Sequence, residues 1–199
     1  MNVYIIIVFF VTYLICSFNP AIEICKRKTG EDIRKLGSGN AGTANAMRVL
    51  GRVLGTIVVM LDILKVLLSF KLVDFLMNVL NYDNTFIIQS VFIVAAVIGH
   101  CYPLYYKFKG GKGVIVGITA AFLLNSQIAI VCIIAGIVII LLTRIVSVGT
   151  LGGLALYLIM SIVMMPHYLV AVIITSLIVA FKHRANIQRI VTKQENKLW

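Results

Sequence analysis

The sequence predicts an all-α integral membrane protein, a polytopic bundle of about seven transmembrane helices, and three observations carry that fold class. Of 199 residues, 61% are hydrophobic and only 13% charged, with a mean hydropathy of +1.04. A soluble domain of this size cannot enclose so much apolar surface in one core. The apolar residues also run in long blocks (Met1–Ile24, Val49–Phe70, Val131–Leu142) that are apolar all round, which suits a lipid solvent. Nowhere do these blocks show the apolar/polar alternation of a β-barrel.

Seven spans follow in order. The first, about 3–24, has no basic residues ahead of its apolar run, so it does not read as a cleavable secretory signal. Its first basic residues, Lys26, Arg27 and Lys28, come after the run, which places the N-terminus outside. The second, 49–69, carries Asp62 and Lys65 at i, i+3. Each costs about 2.5–3.5 kcal/mol at the bilayer centre, so an ion pair or an inner-cavity position is expected. Gly51-x-x-x-Gly55 reads as a close-packing seam between helices. The third span is 85–101. The fourth, 113–125, is short and weakened by Gly113 and Gly117, which suggests a tilted or broken helix. The remaining spans, 127–143, 148–165 and 168–182, are joined by short turns.

Charge tests this arrangement. With the N-terminus outside, the inner segments are 25–48, 102–112, 144–147 and 183–199, so the C-terminus is cytoplasmic. Together with Arg52 and Lys182 at adjacent helix ends, they hold sixteen of the eighteen Lys and Arg residues. Only Lys65, inside the second span, and Lys71, in the outer segment 70–84, fall elsewhere. The net charge of +11 therefore reads as orientation by the positive-inside rule and not as a nucleic-acid surface. The four cysteines, Cys16, Cys25, Cys101 and Cys132, lie in or beside apolar runs without a C-x-x-C pair. That argues against a disulfide framework and against a zinc site. No linker, low-complexity tract or internal repeat is visible, so residues 1–199 read as a single domain.

Three polar clusters fall on the inner face. The first, Leu36-Gly-Ser-Gly-Asn-Ala-Gly-Thr-Ala-Asn45 followed by Arg48, formally contains G-x-G-x-x-G. It lacks the strand and βαβ unit that a dinucleotide fingerprint needs. Its glycines still expose backbone N–H groups just before a helix, as an anion site does. A plain Gly/Ser connector is the alternative. The second cluster, Gly99 to Gly113, ends in Lys109-Gly-Gly-Lys-Gly113, but Gly113 follows Lys112 where a phosphate loop needs Ser or Thr. ATP hydrolysis is not expected, whereas a phosphate or carboxylate would be held well there. The third, His183-Arg-Ala-Asn-Ile-Gln-Arg189, puts His183 and Asn186 one helical turn apart. An ordinary basic membrane-exit segment explains the arginines but not the His and Asn. The residues alone imply a pocket for a phosphate-bearing ligand at the cytoplasmic surface, and transport and lipid-linked transfer both fit.

Together the clusters resemble the bacterial acyl-phosphate:glycerol-3-phosphate acyltransferases, the PlsY family. That family carries an S-G-N-x-G-x-T-N…R loop, a G-H-x-x-P…F-K-G-G-K-G-V loop and a C-terminal H-R-x-N-I-x-R segment. Here these are Ser38 to Asn45 with Arg48, Gly99-His100 to Val114, and His183 to Arg189. Asp62-Ile-Leu-Lys65 and Arg144 to Gly149 also resemble family features, so the match runs nearly the whole chain in order. Ala44-Asn45 stands where Thr-Asn is usual, and Val114-Ile-Val where an Ala-Thr pair is common.

The resemblance implies acyl transfer from acyl phosphate to the 1-hydroxyl of glycerol-3-phosphate, giving lysophosphatidic acid and phosphate, in a bacterial cytoplasmic membrane. It implies no cofactor, no metal, membrane lipids as surroundings and functional coupling to an acyl-phosphate synthase. The H-x-x-x-x-D motif of other glycerolipid acyltransferases is absent: Tyr105, Val172 and Gln188 stand five residues after the three histidines. By resemblance, Ser38, Arg48, Lys112, His183 and Asn186 are the catalytic set. Gly39, Asn40, Gly42, Asn45, His100, Lys109, Gly110, Gly111, Gly113 and Arg184 bind substrate. The transporter reading predicts polar residues spread through broken spans. Here only Asp62 and Lys65 lie deep.

Overall fold

The computed structural model describes residues 3–82 and 85–197, and the secondary structure of those residues is helical throughout. Contacts group the chain into two compact units, Met1–Thr119 and Ala120–Trp199.

The first unit opens with α1 (Val3–Cys16) and α2 (Pro20–Thr29), so the expected single span 3–24 is broken over residues 17–19. Pro20 has no N–H to continue α1, and the Asn19 side chain starts a new helix by accepting from Ile22 N at 3.1 Å. After the loop 30–42 comes α3 (Thr43–Val79), broken at Gly51, whose φ of 84° and ψ of 171° a side chain would resist. The expected seam at Gly51 and Gly55 is corrected accordingly. A Cβ on Gly55 would lie 2.8 Å from Met47 Cα, in the same helix on the other side of the break. α3 then runs on through Lys71 and Asp74, turning most of the expected outer segment 70–84 into helix. Its inward face continues, with Val73 and Met77 buried while the two charges stay exposed. Positions 83 and 84 lie outside the described residues. α4 (Thr85–Cys101) coincides with the expected third span. α1 packs on α3 and α4, and α2 on α3.

The expected ion pair forms within this unit. Lys65 Nζ lies 2.8 Å from Asp62 Oδ1, donates to the Phe18 carbonyl at 2.8 Å and sits 3.0 Å from His100 Nδ1. The Phe18 oxygen is available because its helical donor, Ile22 N, is taken by Asn19. One chain break thus supplies both a helix cap and an acceptor for a buried ammonium.

α5 (Val114–Leu124) crosses from the first unit into the second, which continues with α6 (Ser126–Thr143), α7 (Val146–Met164), α8 (Leu169–Lys182) and α9 (Arg184–Val191). A close-packed seam lies here. A Cβ on Gly136 of α6 would lie 3.1 Å from Gly149 O of α7, and one on Gly153 would lie 3.0 Å from Cys132 O. α8 packs on α7, and α9 leaves α8 with a bend of 59°.

Among the described residues, five helical stretches are long and apolar enough to cross a membrane: Val3–Thr29, Thr43–Val79, Thr85–Tyr106, Ser126–Thr143 and Val146–Met164. The bent pair Pro166–Lys182 and Arg184–Val191 makes a sixth if it is one span. A count of seven needs Val114–Leu124 as well, whose 11 residues cover about 17 Å of a hydrocarbon core ~30 Å thick. Val53 and Met60 on α3, Leu142 on α6, Val163 on α7 and Val170 on α8 are exposed, a surface suited to lipid. The four cysteines are buried free thiols, as expected.

Candidate active site

The glycine loop takes its shape from Asn45. Its Oδ1 accepts from Ser38 N at 2.8 Å, and its Nδ2 donates to Leu36 O at 2.9 Å and Ile33 O at 3.3 Å. Both ends of this buried amide therefore hold the loop's own backbone. Gly37, with φ of 58°, lies against it, and a Cβ there would collide with Asn45 Oδ1. Below lies an apolar bed that includes Ile22, Cys25, Ile33, Ala46 and Val58. Ser38 and Gly39 are exposed at the crest, Asn40 is half-buried, and Gly42 is buried where α3 begins. Arg48 is exposed on the first segment of α3.

A second loop is folded onto the end of α4. Gly110 N donates to Cys101 O and Gly111 N to His100 O, both at 3.2 Å. A Cβ on Gly111 would strike the His100 ring and lie 2.8 Å from Ala41 O, so only glycine lets the two loops touch at this point. Asn19 donates to that same Ala41 carbonyl at 3.0 Å. Lys112 is half-buried, and Gly113 leads into α5 with Gly117 N donating to its carbonyl at 2.7 Å. His100 is buried behind the loop, and its ring neighbours Lys65.

Arg34 braces the second loop from the first. Its Nη1 donates to Tyr106 O at 2.8 Å and Lys109 O at 3.0 Å, while Nε and Nη2 fork onto Asp32 at 2.9 and 2.6 Å. The Arg34 guanidinium holds the Asp32 carboxyl below its ordinary value. Tyr106 in turn donates to Glu23 Oε1 at 2.9 Å. The brace fixes a stretch in which Lys107 and Phe108 are both left-handed, a conformation the chain does not hold unaided.

In the second unit, His183 stands at the junction of α8 and α9 and is buried. Its Nδ1 lies 2.8 Å from Val179 O, which can only accept, so the neutral ring carries its proton on Nδ1 and its lone pair on Nε2. Asn186 is buried one turn on. Its Nδ2 donates to Glu195 Oε1, which also accepts from Ser147 Oγ at 2.7 Å, and Arg189 Nε meets Glu195 Oε2 at 2.6 Å. Burial raises the Glu195 carboxyl, but the donors Asn186, Ser147 and Arg189 outweigh it and hold it below its ordinary value. Arg184 is exposed, donates to Phe181 O at 3.2 Å and lies 4.5 Å over the Phe181 ring.

The first unit thus brings together the Ser38–Asn45 loop and the Gly110–Gly113 loop, and the second brings together His183, Asn186, Ser147 and Glu195. The glycerol-3-phosphate acyltransferase family model matches residues 6–193. The chain belongs to that family. It is 31% identical to the glycerol-3-phosphate acyltransferase of Clostridioides difficile (strain 630), covering 97% of this chain and 95% of the relative. It is 37% identical to that of Halalkalibacterium halodurans, over 94% and 92% of the two chains. The crystal structure of PlsY (YgiH), an integral membrane glycerol 3-phosphate acyltransferase, in its glycerol 3-phosphate form is similar with a TM-score of 0.86. That match is 28% identical and covers 98% of this chain and 96% of that one. The lysophosphatidic acid form of the same protein gives a TM-score of 0.83 at 26% identity, covering 98% and 95%.

Sequence reading did not place Asn19, Arg34, Ser147 or Glu195 among the site residues. Each acts through a partner at least twenty residues away: Asn19 on Ala41, Arg34 on Tyr106, and Ser147 and Glu195 on each other. The signals available were faint. Asn19 precedes a proline inside an apolar run, and Glu195 is the one acidic residue of the basic tail.

Proposed function

We propose that this acyltransferase transfers a fatty acyl group from acyl phosphate to the 1-hydroxyl of glycerol-3-phosphate, at the cytoplasmic face of a bacterial cytoplasmic membrane. The acceptor oxygen forms a bond to the carbonyl carbon, the bond from that carbon to the phosphate oxygen breaks, and the products are 1-acyl-glycerol-3-phosphate and inorganic phosphate. The hydroxyl proton leaves to a phosphate oxygen or to His183 Nε2. Orientation follows the charge count, with the N-terminus outside, the C-terminus inside and Val114–Leu124 as a seventh, shortened crossing. Acyl phosphate implies a synthase for it in the same cell.

The observation that carries this reading is the seating of Gly111 against Ala41 and His100, which joins the two glycine loops. The side chains of Lys112 and Arg48, with the exposed loop crest at Ser38 and Gly39, suit two phosphorylated substrates. Acyl phosphate is already an activated anhydride, so positioning and charge stabilisation can supply most of the rate without a His/Asp pair. Asn45 serves by shaping the loop, and Ser38, Gly39 and Asn40 by offering its crest to the ligand. His183 and Asn186 orient the acceptor hydroxyl.

The test is a donor comparison. Purified protein receives labelled glycerol-3-phosphate and either palmitoyl phosphate or palmitoyl-CoA, without ATP or added metal. Lysophosphatidic acid is expected from palmitoyl phosphate alone. Equal or greater product from palmitoyl-CoA would reject the proposed donor.

A further inference from the structure

Lys65 is a buried cation of the first unit to which the proposed reaction gives no task. Its Nζ is enclosed by three groups: the Phe18 carbonyl at 2.8 Å, Asp62 Oδ1 at 2.8 Å and His100 Nδ1 at 3.0 Å. Paired with the Asp62 carboxylate it is an ammonium, which has three N–H donors and no acceptor. The His100 nitrogen that faces it therefore accepts. The imidazole is neutral, and its one proton sits on Nε2.

The same contact fixes the plane of the ring. Turning the ring over about its Cβ–Cγ bond would exchange Nδ1 for Cδ2 and set a C–H against the ammonium, leaving a buried donor without an acceptor. The other side of the ring carries the second glycine loop. A Cβ on Gly111 would strike Nε2 and lie 3.1 Å from Cδ2, and Gly111 N donates to the His100 carbonyl at 3.2 Å. That Cβ would also lie 2.8 Å from Ala41 O of the first loop. Gly111 is thus fitted between the imidazole and the first loop, and the angle of the ring decides where it can sit. A phenyl or alkyl wall at position 100 would leave one donor of Lys65 unpaired, and a protonated imidazole would set a second cation against it. A neutral histidine meets both demands. All of these groups belong to the first unit.

We propose that Lys65 is a positioning residue for the second glycine loop: it fixes the plane and tautomer of His100, and the fixed ring is the wall on which Gly111 seats beside Lys112. The inference rests on the acyl-transfer reading above. It gives a charge pair held deep in α3 a function at the loop that meets the substrates.

The test reads the tautomer and the reaction separately. In protein labelled with ¹⁵N at histidine and held in detergent, nitrogen NMR should show His100 with a bare Nδ1 and a protonated Nε2. His183, whose Nδ1 faces a carbonyl, should show the reverse. The His100 signals are those missing from His100→Asn, and a proton on Nδ1 of His100 overturns the inference. The reaction is followed as kcat and KM for glycerol-3-phosphate, with the melting temperature of each variant. Asp62→Asn/Lys65→Met removes both charges together and should recover most of the melting temperature lost in Lys65→Met, while kcat/KM stays down by on the order of tenfold. His100→Asn keeps an acceptor for Lys65 but removes the wall, and should lose kcat/KM to a similar extent. Combining the two should cost nothing beyond the larger single loss, because both act through one ring. Wild-type kcat/KM in the neutral pair, additive losses in the combination, or activity that merely tracks the melting temperature overturns the inference. Should the neutral pair fail to fold, wild-type kcat/KM in His100→Asn overturns it, and a loss there at an unchanged melting temperature supports it. A wild type that forms no lysophosphatidic acid from palmitoyl phosphate removes the acyl-transfer reading, and the positioning role falls with it. An active wild type with any of the overturning results removes this inference alone.

Discussion

Replacing Arg34 with alanine tests the brace between the two loops. The side chain makes two charge-assisted bonds to carbonyls of the second loop, at 2.8 and 3.0 Å. Such bonds are worth about 1.5–3 kcal/mol each when fully buried. The Arg34 side chain is 26% exposed, so water recovers part of that, and roughly 1 kcal/mol per bond is the appropriate figure. A loss of about 2 kcal/mol reduces the population of the ordered loop by roughly thirtyfold, and kcat/KM should fall by about 10–30-fold. Arg34→Lys can keep one bond but not the fork onto Asp32, so an intermediate loss is expected. The Asp32 carboxyl is held below its ordinary value, so its bracing is complete at neutral pH and is lost only as pH falls through that lowered range. Initial rates with palmitoyl phosphate at neutral pH therefore report geometry. Rates for both variants within about twofold of wild type would refute the brace.

Four other outcomes follow from the same account. Lys112→Ala should lower activity by at least about 10²-fold, as when a charge stabiliser is removed, while Lys197→Ala in the tail stays near wild type. His183→Gln should retain more activity than His183→Ala, because an amide oxygen can replace the Nε2 acceptor. If both variants are dead and the wild-type rate falls with a pKa near about 6.5, His183 is the obligatory base. Lys65→Met strands Asp62 in the interior, and a destabilisation of about 3–5 kcal/mol should appear as a large drop in melting temperature, partly reversed by adding Asp62→Asn. Finally, in a cysteine-free background, a cysteine at Asn81 should react with impermeant thiol reagents from outside and one at Gln194 only after lysis. Labelling of position 194 in sealed cells would invert the proposed orientation.

The helices were legible because lipid imposes few demands beyond length and apolarity, and the runs at 85–101 and 127–143 satisfy both without interruption. Their interruptions were not legible. The first span breaks at Asn19-Pro20 within a predominantly apolar stretch, and only the side-chain cap reveals why the helix restarts there. Gly51 was visible as a glycine, but a packing glycine and a break look alike until φ is known. Lys71 and Asp74 suggested a loop, yet both sit on the exposed face of a continuing helix. The site shows the same division. The i, i+3 spacing announced Asp62 and Lys65, whereas their partners Phe18 and His100 lie 47 and 35 residues from Lys65. The glycine loops were visible as motifs; what holds them, Arg34 and Asn19, depends on distant backbone that spacing cannot place.

The central claim is acyl transfer with cleavage at the carbonyl carbon, and an oxygen label reads it directly. Palmitoyl phosphate carrying ¹⁸O in the bridge between carbonyl and phosphorus is turned over with glycerol-3-phosphate, and both products are weighed by mass spectrometry. The account predicts that the bridging label leaves entirely with inorganic phosphate and that the lysophosphatidic acid contains only the acceptor's own ester oxygen. Label retained in free palmitate, with phosphate transferred to glycerol-3-phosphate, would mean cleavage at phosphorus and would contradict it.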